Sequence, residues 1–467
     1  MELKYWAATD IGRKRADNED NFLIDKNLHL FVVADGMGGH ASGEVASALA
    51  VQTIREVVSA ERDLIAQAAS DDLAWNLEIC ILLEHAVHMA CERVYQKAQQ
   101  EPEKRGMGTT VVCLLIAGGR GYIAYVGDSR LYLVRGELVY QLTEDHSLMN
   151  ELVRRGKIRA DEFDDSPYAN YKNAMTRAVG PTPTVEVDTL DFDMVPGDAF
   201  LLCSDGLYEY LDDQDISKVL PLPEIRKVPG QLIDIANRRG GKDNITAIVV
   251  QIPRSDAQGD EGAELNYTLD IVRKVPIFAD LTYPQLVRIM NMGRIAPMAK
   301  GTTLCRQGEV SSALQVVLRG QVELSRDDTT ITTLGPGQHF GEMSLIDDLP
   351  HSTTVVCTEE GKVMSLMRKD FEAILKREAP LAVKLLRRFV SELSDRLRKT
   401  NEALTEARTA VIEDISEDLS EDFEMLEEGE IIRAQGAELA SGAGDTQVAG
   451  QTPTAVEADA DDTLSAD

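Results

Sequence analysis

The sequence predicts an α+β fold: a β-sandwich flanked by helices, followed by a small β-barrel or jelly-roll domain with a C-terminal helix and a disordered acidic tail. Before residue 253, long strand-like runs alternate with two helical stretches, and consecutive strand–turn–strand units there imply antiparallel sheets. Beyond residue 270, short strand-like segments are separated by glycines, which is typical of small barrels. After residue 380 the pattern becomes helical and then strongly acidic.

The first predicted domain comprises residues 1–253. Its first helix is expected to begin near Ser42 and to run through Val57. A second helix is expected over residues 74–99, because apolar side chains recur there near the 3.6-residue period of a helix that packs on one face. Residues 131–134 and 137–142 are apolar runs on either side of a short turn, so they predict a β-hairpin.

Three further segments follow. Residues 254–270 are polar and contain glycine, which is typical of a linker. Residues 271–400 form the second predicted domain. Within its last helix, apolar residues at heptad spacing between 386 and 411 allow two interpretations: a homodimeric coiled coil, or an amphipathic helix packed on its own barrel. Residues 401–467 are expected to complete this helix and then form the disordered tail, since residues 413–467 hold 17 acidic residues against one arginine.

Composition excludes several classes of protein. The chain has 467 residues, enough for two or three domains, and its net charge of −31 argues against a nucleic-acid partner. No apolar run approaches the roughly 20 residues that cross a bilayer, so no membrane insertion is expected. The chain shows no signal-peptide pattern, and its six cysteines are scattered, which indicates reduced, buried thiols. A cytoplasmic location is therefore expected.

Short acidic segments carry most of the functional information. Three of them directly follow apolar, strand-like runs, and another directly precedes one. A carboxylate at the end of a buried strand is costly unless it is neutralised, and a hard divalent cation is a suitable neutraliser. The five segments are Asn18-Glu19-Asp20, Asp35-Gly36-Met37-Gly38-Gly39-His40, Gly127-Asp128-Ser129-Arg130, Ser204-Asp205-Gly206 and Asp243-Asn244.

These residue types suit a two-metal site that acts on phosphate. Asp35, Asp205 and Asp243 supply oxygen ligands for two divalent ions, with Asp35 as the bridging ligand. Gly36 leaves a backbone carbonyl free to reach a metal. Two such ions polarise phosphoryl oxygens and activate water. Arg15, just before the first acidic segment, is the candidate for bidentate binding of a phosphate dianion.

Residues 1–253 resemble the bacterial branch of the metal-dependent, type 2C (PPM) serine/threonine protein phosphatases. Six stretches match the motifs of that family, in its order, over about 240 residues. They are Arg15–Asp20, Val33–His40, Gly108–Thr110, Val126–Arg130, Ser204–Leu207 and Lys242–Thr246.

The resemblance implies a cofactor of Mn²⁺ or Mg²⁺ and a role for each matching residue. Two ions are implied, and a third in bacterial members. Asp35, Asp205 and Asp243 would hold the catalytic pair with the carbonyl of Gly36, and Glu19 would hold a metal-bound water. The position of Asp128 matches the ligand of the third ion. Arg15 would bind the substrate phosphate, and residues 145–175 would form a mobile flap beside the cleft.

The implied reaction is hydrolysis of phosphoserine or phosphothreonine in proteins, by in-line attack of a metal-bridging hydroxide. Substrates from a serine/threonine kinase pathway are the family-level expectation. Eukaryotic relatives carry a histidine directly after the Asp-Gly pair, where this chain has Met37. Two alternatives for the general acid therefore stay open: His40 and a metal-bound water.

Residues 272–395 resemble a cyclic-nucleotide-binding domain of the cAMP-receptor type. The stretches 300–309 and 317–323 match its glycine-punctuated strands, and Phe340–Thr354 matches its phosphate-binding cassette. The implied pocket residues are Gly341, Glu342, His351 and Ser352. Glu342 occupies the ribose-binding position, whereas His351 stands where the family has an arginine, and so lacks the guanidinium fork. The alternatives are therefore cyclic-nucleotide binding and a barrel used for docking or dimerisation.

Two hypotheses follow from the sequence. The first is a metal-dependent protein phosphatase with a C-terminal regulatory or docking domain. The second is a cyclic-nucleotide sensor or scaffold whose phosphatase fold is inactive. The complete set of core metal ligands favours the first hypothesis.

Overall fold

The structure is a computed structural model that describes residues 2–38, 42–67, 73–171, 174–254, 261–310 and 312–437. The chain divides into two compact units between Glu392 and Leu393. Among the described residues, no helix combines the length and the apolar content needed to span a bilayer.

The described part of residues 1–254 contains strands and helices in mixed order. The strands are β1 Lys4–Asp10, β2 Asp20–Asp25, β3 Leu30–Met37, β4 Gly108–Thr109, β5 Val111–Ala117, β6 Arg120–Val126, β7 Arg130–Arg135, β8 Leu138–Gln141, β9 Asp188–Asp193, β10 Ala199–Cys203 and β11 Ile245–Gln251. The helices are α1 Ser42–Ala60, α2 Arg62–Gln67, α3 Leu73–Gln100, α4 Leu148–Arg154, α5 Asp205–Tyr208, α6 Asp213–Val219 and α7 Val228–Arg239.

These strands form two antiparallel sheets. One sheet has the order β1-β11-β10-β7-β8, and the other has the order β2-β3-β5-β6-β9, with β4 paired to β3. Alternation along β3 explains the layers: Leu30 and Val32 pack in a core with α1 and α3, while Phe31 contacts Tyr5 of the other sheet, with ring centroids 5.5 Å apart. A second core joins α6 and α7 to the first sheet.

The predicted α+β class and the predicted elements of this domain are confirmed. The first helix begins at Ser42 as expected and ends at Ala60, three residues later than predicted. The second spans Leu73–Gln100, close to the predicted 74–99. Strands β7 and β8 form the predicted hairpin, in which Arg135 pairs with Leu138. The six cysteines are free and buried, as the sequence indicated.

The second domain is separate and sheet-rich, as predicted. Its sheet has the order β12-β17-β14-β15, with β13 on β17 and β16 on β14. Its elements are α8 Glu261–Lys274, α9 Tyr283–Met292, β12 Arg294–Met298, β13 Thr303–Cys305, β14 Ala313–Arg326, β15 Thr329–Leu334, β16 His339–Phe340, β17 Thr354–Met367, α10 Arg368–Arg377 and α11 Ala379–Ala437.

Two segment predictions require correction. The predicted linker, residues 254–270, includes the first ten residues of α8, a helix that continues to Lys274 and has a buried apolar face that includes Leu269 and Val272. The predicted disorder after residue 412 is also wrong in part, because α11 continues to Ala437. Its glutamate- and leucine-containing sequence has a high intrinsic helix propensity. Residues 438–467 lie outside the described residues.

The second domain covers an open sheet edge of the first. Strand β9 pairs only with β6 on its path through the sheet, so its outer carbonyl groups have no strand partner. Side chains of α9 supply the missing donors: Arg288 Nη2 donates to the Thr189 carbonyl at 2.9 Å, and Asn291 Nδ2 donates to the Asp191 carbonyl at 2.8 Å. Helix α9 thus satisfies two carbonyl groups of β9.

Candidate metal centre

Four aspartates from the two sheets converge at one end of the sandwich. Asp20 and Asp35 lie directly opposite each other on β2 and β3. Asp205 begins α5, just after β10, and Asp243 lies two residues before β11, which pairs with β10. The negative charge of Asp205, from the other sheet, acts on Asp35. The sandwich therefore unites residues that are far apart in the chain.

Asp20 is the link between the sheets. Ser204 Oγ, at the end of β10, donates to Asp20 Oδ2 at 2.7 Å. The same Oγ accepts a hydrogen bond from the Thr246 amide at 3.0 Å. Sequence patterns assigned no specific role to Asp20 or Ser204, and in the structure both are buried where the two sheets meet.

The backbone of Asp35 is fixed by neighbouring threonines. Its amide donates to Thr110 Oγ1 at 3.0 Å, and its carbonyl accepts from the Thr110 amide at 2.9 Å. Thr109 Oγ1 donates to the same carbonyl at 2.9 Å. These contacts explain why the Gly108–Thr110 stretch accompanies the acidic segments: it holds the end of β3 in place.

The cluster is electrostatically strained. Burial, together with the charges of Asp20 and Asp205, raises the pKa of Asp35 well above its ordinary value. Burial and nearby carboxylates also raise the pKa of Asp20 to about 7 and that of Asp205 to about 6. The pKa of Asp128 rises to about 7 for the same two reasons. Each of these carboxylates would be stabilised as an anion by a nearby cation.

The donor set fits a hard divalent cation. It is made entirely of oxygen atoms, and one buried oxygen each of Asp20 and Asp205, the Oδ1 atom, makes no hydrogen bond. No group of three or more His, Cys, Asp or Glu side chains in the described part of the chain is arranged so that it could hold a metal ion as it stands. At Asp243, the Oδ2 atom accepts a hydrogen bond from Arg15 Nη2 at 2.6 Å.

Arg15 and Glu19 lie beside the cluster. The side chain of Arg15 is 49% exposed, so its guanidinium faces solvent as well as Asp243. The Glu19 carboxylate accepts a hydrogen bond from the backbone of Gly43, in the first turn of α1, where the helix dipole favours an anion. Burial nevertheless raises the pKa of Glu19.

Gly36 lies where no side chain fits. A Cβ atom at this position would lie 2.2 Å from the carbonyl oxygen of Gly43 and 2.6 Å from that of Glu19. Both obstacles are backbone atoms, which cannot turn away as a side chain could. The glycine thus allows β3, the first acidic loop and α1 to approach one another closely.

Asn244 organises the site, a role that sequence patterns did not predict. Its Oδ1 accepts from the Glu19 amide at 2.9 Å, and its Nδ2 donates to the carbonyls of Ile11 and Asp17 at 3.0 and 2.9 Å. One buried side chain thus fixes the loop that carries Arg15 and Glu19. The only sequence signal was its place directly after Asp243.

Asp128 lies in the turn between β6 and β7, and His146 holds that turn. The Gly127 amide donates to His146 Nδ1 at 3.0 Å, and the His146 amide donates to the Gly127 carbonyl at 2.9 Å. Gly127 has a φ of +103°, and a Cβ atom there would lie 2.6 Å from Thr110 Cγ2. No sequence pattern indicated this role of His146. His40 lies outside the described residues.

The four predicted pocket residues of the second domain are placed as follows. Gly341 precedes a 3₁₀ turn, Glu342–Leu345, and Glu342 is buried. His351 lies close to Gly341, since a Cβ atom on Gly341 would lie 3.6 Å from His351 Cε1. The buried Nε2 atom of His351 makes no hydrogen bond, and Ser352 is exposed.

A cavity of about 450 Å³ lies away from the aspartate cluster, between the two domains. Its lining includes His146, Asp188 and Arg177 of the first domain and Tyr283 and Lys384 of the second. None of the four clustered aspartates lines it. Its balanced mixture of acidic and basic side chains does not select a ligand class.

Comparison with known proteins gives two family matches. The family described as protein phosphatase 2C matches residues 12–235, and the cyclic nucleotide-binding domain family matches residues 297–378. Serine/threonine phosphatase stp of Listeria innocua is 36% identical over 247 residues, which are 52% of this chain and 93% of that protein.

Two further matches involve PstP of Mycobacterium tuberculosis. The serine/threonine protein phosphatase PstP is 35% identical over 254 residues, which are 54% of this chain and 45% of PstP, so the chain spans about half of that relative's length. A crystal structure of the Mycobacterium tuberculosis phosphatase PstP/Ppp is 34% identical and covers 54% of this chain and 99% of that chain, with a TM-score of 0.47.

Proposed function

This chain belongs to the protein phosphatase 2C family, and on that premise we propose that it hydrolyses phosphoserine and phosphothreonine in proteins with divalent metal ions as its cofactor. The observation that carries the proposal is the convergence of Asp35, Asp205 and Asp243 from two sheets onto one partly buried, all-oxygen centre beside Arg15. Such a centre has no evident structural purpose, since like charges that are buried together destabilise a fold.

We assign the cofactor-binding residues as follows. Asp35, Asp205 and Asp243, with the carbonyl of Gly36, would hold two ions of Mn²⁺ or Mg²⁺. Glu19 would act through a water molecule, and Asp128 would hold a third ion. When bound, such ions polarise phosphoryl oxygens and lower the pKa of water, which supplies the nucleophile.

The protein's own side chains bind and orient the substrate. Arg15 presents a half-exposed guanidinium whose planar fork matches a phosphate dianion. In the structure Arg15 is paired with Asp243. With substrate and metal bound, Arg15 would contact the phosphate and Asp243 would contact the metal. Thr110 forms a hydrogen bond with the backbone of Asp35, and Asn244 forms one with the loop that carries Arg15. These bonds hold Arg15 and Asp35 in position relative to each other. His40 remains our candidate for protonating the leaving alkoxide.

The test is hydrolysis of p-nitrophenyl phosphate by the full chain, with and without Mn²⁺. Activity should require the metal, and Asp35→Asn and Asp205→Asn should each abolish it. Asp63→Asn, at an exposed position on α2, is the matched control and should behave as the wild type. Circular dichroism checks that each variant is folded. Full activity in both cluster variants would rule out the proposed centre.

A second candidate function concerns the second domain, whose match to the cyclic nucleotide-binding family favours it. In this alternative the chain senses a cyclic nucleotide or serves as a scaffold. Calorimetry with cAMP and cGMP tests the sensor version, and Glu342→Ala should remove any binding. Binding without phosphatase activity would favour this alternative.

The partners of the chain also belong to the proposal. Phosphoproteins of a serine/threonine kinase pathway are the proposed substrates. The helix segment 386–411 is proposed to form a homodimer, because Leu397, Leu404 and Val411 repeat every seven residues on α11 with exposures of 62%, 67% and 56%. The free, buried cysteines support a reducing compartment such as the cytoplasm.

A further inference from the structure

We propose that Arg288, on α9 of the second domain, is a positioning residue for the turn that carries Asp128 at the metal centre. This inference rests on the proposed function. It gives the second domain a part in the phosphatase site that requires no ligand in the second domain itself. Three consecutive contacts carry it, from Arg288 to β9, from β9 to His146, and from His146 to Gly127.

The first contact joins the domains. Arg288 Nη2 donates to the Thr189 carbonyl at 2.9 Å, while Nη1 donates to Glu378 Oε2 at 2.5 Å. Glu378 lies between α10 and α11, so Arg288 links β9 to the junction of these two helices. The Arg288 side chain is only 24% exposed, which makes its charge–charge interactions stronger than those of a surface residue.

The second contact is made by Asp188, the residue next to Thr189. Its Oδ2 atom lies 3.1 Å from His146 Nε2, and its Oδ1 atom lies 3.2 Å from Arg177 Nη1. The Asp188 carboxylate is thus held by His146 and Arg177, and the positive charge of Arg288 in the second domain also acts on it. Loss of Arg288 would remove that charge and the anchor on the adjacent carbonyl.

The third contact fixes the turn itself. Because His146 Nδ1 accepts the Gly127 amide, the imidazole proton lies on Nε2 and is donated to Asp188. Asp188 therefore sets the orientation of the His146 ring, and the ring sets the position of the Gly127 peptide. The next residue is Asp128, so the position of the Gly127 peptide determines where the Asp128 side chain begins.

Asn291 provides a matched control for this route. Like Arg288, Asn291 lies on α9 and donates to a backbone carbonyl of β9 at nearly the same distance. Its acceptor is the carbonyl of Asp191, whereas that of Arg288 is the carbonyl of Thr189. The partners of the Asp191 carboxylate do not include His146. Removal of Asn291 should thus weaken the domain contact without loosening the Gly127–Asp128 turn.

The experiment compares wild type, Arg288→Met, Arg288→Lys and Asn291→Ala as full chains. Calorimetry measures Mn²⁺ affinity directly, and p-nitrophenyl phosphate hydrolysis measures the Mn²⁺ concentration for half-maximal rate. Arg288→Met should weaken Mn²⁺ binding by roughly 2- to 30-fold, the range of coupling through packed networks. Arg288→Lys, which keeps the charge, should restore part of the affinity, and Asn291→Ala should leave it unchanged.

The outcomes are separable. Equal Mn²⁺ affinity in Arg288→Met and wild type, or an equal loss in Asn291→Ala, would overturn the inference. If the wild type binds Mn²⁺ but does not hydrolyse the substrate, the proposed phosphatase function fails. The Mn²⁺ affinities of Arg288→Met and wild type then still decide whether Arg288 positions the turn. A wild type that neither binds Mn²⁺ nor hydrolyses overturns both. Should Arg288→Met fail to fold, Arg288→Gln replaces it with the same expectation.

Discussion

The substitution Asn244→Ala offers a quantitative test of how the first acidic loop is held. It removes three hydrogen bonds, to the Glu19 amide and to the carbonyls of Ile11 and Asp17, all between 2.9 and 3.0 Å. Each such bond contributes about 1 kcal/mol net, so we expect a loss of roughly 3 kcal/mol in the free energy of unfolding. The residue is only 4% exposed, so water replaces these bonds poorly.

The assay is urea unfolding of the full chain, followed by circular dichroism. Asn27→Ala is the control, because this exposed turn residue makes no side-chain contact of this kind, and its effect should stay within about 0.5 kcal/mol. Asn244→Ala should also weaken Mn²⁺ activation, since Arg15 and Glu19 share the loosened loop. If Asn244→Ala unfolds at the same urea concentration as Asn27→Ala, the reasoning is refuted.

Three further predictions concern separate features. Gly36→Ala should lower the hydrolysis rate roughly 100-fold, because its Cβ atom would lie 2.2 Å from the carbonyl oxygen of Gly43 and displace the site by about 1 Å. Asp188→Asn should cost roughly 2 kcal/mol of stability in urea unfolding at pH 7, and the difference from wild type should shrink as pH falls below about 4. Leu397→Glu should convert the proposed dimer into a monomer in sedimentation experiments at the same concentration.

The sign of the pH effect follows from the surroundings of Asp188. Burial acts to raise the pKa of this carboxyl group, but the hydrogen bond from His146 and the charges of Arg177 and Arg288 outweigh it, so the pKa lies below its ordinary value. A carboxyl group whose pKa is lower in the folded state than in the unfolded state stabilises the fold at pH values above its unfolded pKa of about 4. This stabilisation is lost as the pH falls and the group is protonated.

Each of these predictions has a contradicting result. An unchanged rate in Gly36→Ala would show that the backbone at α1 moves freely. A stability difference at Asp188→Asn that persists undiminished at pH 3 would exclude the ionised carboxylate as its source. Identical sedimentation of wild type and Leu397→Glu would remove the support for a homodimer through α11.

Much of the fold could be predicted from sequence because its signals are local. The helix that begins at Ser42 and the β7–β8 hairpin follow from periodicity and turn residues within a short window. The two segment errors have a common cause: composition alone marked residues 261–270 and 413–437 as unstructured. Helix formation there depends on helix-favouring residues and, at Leu269, on burial against the rest of the unit.

The sequence by itself determined the chemical groups of the candidate site: the acidic residues, the glycine at position 36 and Arg15 all occur in recognisable segments. Only the tertiary structure decided what supports them. Asn244 reaches back 225 residues to Glu19, His146 fixes Gly127, and Arg288 reaches across the domain boundary to Thr189. Such contacts join side chains to the backbone of distant residues, so no local pattern records them. They exist only once the sheets and the two domains have packed together.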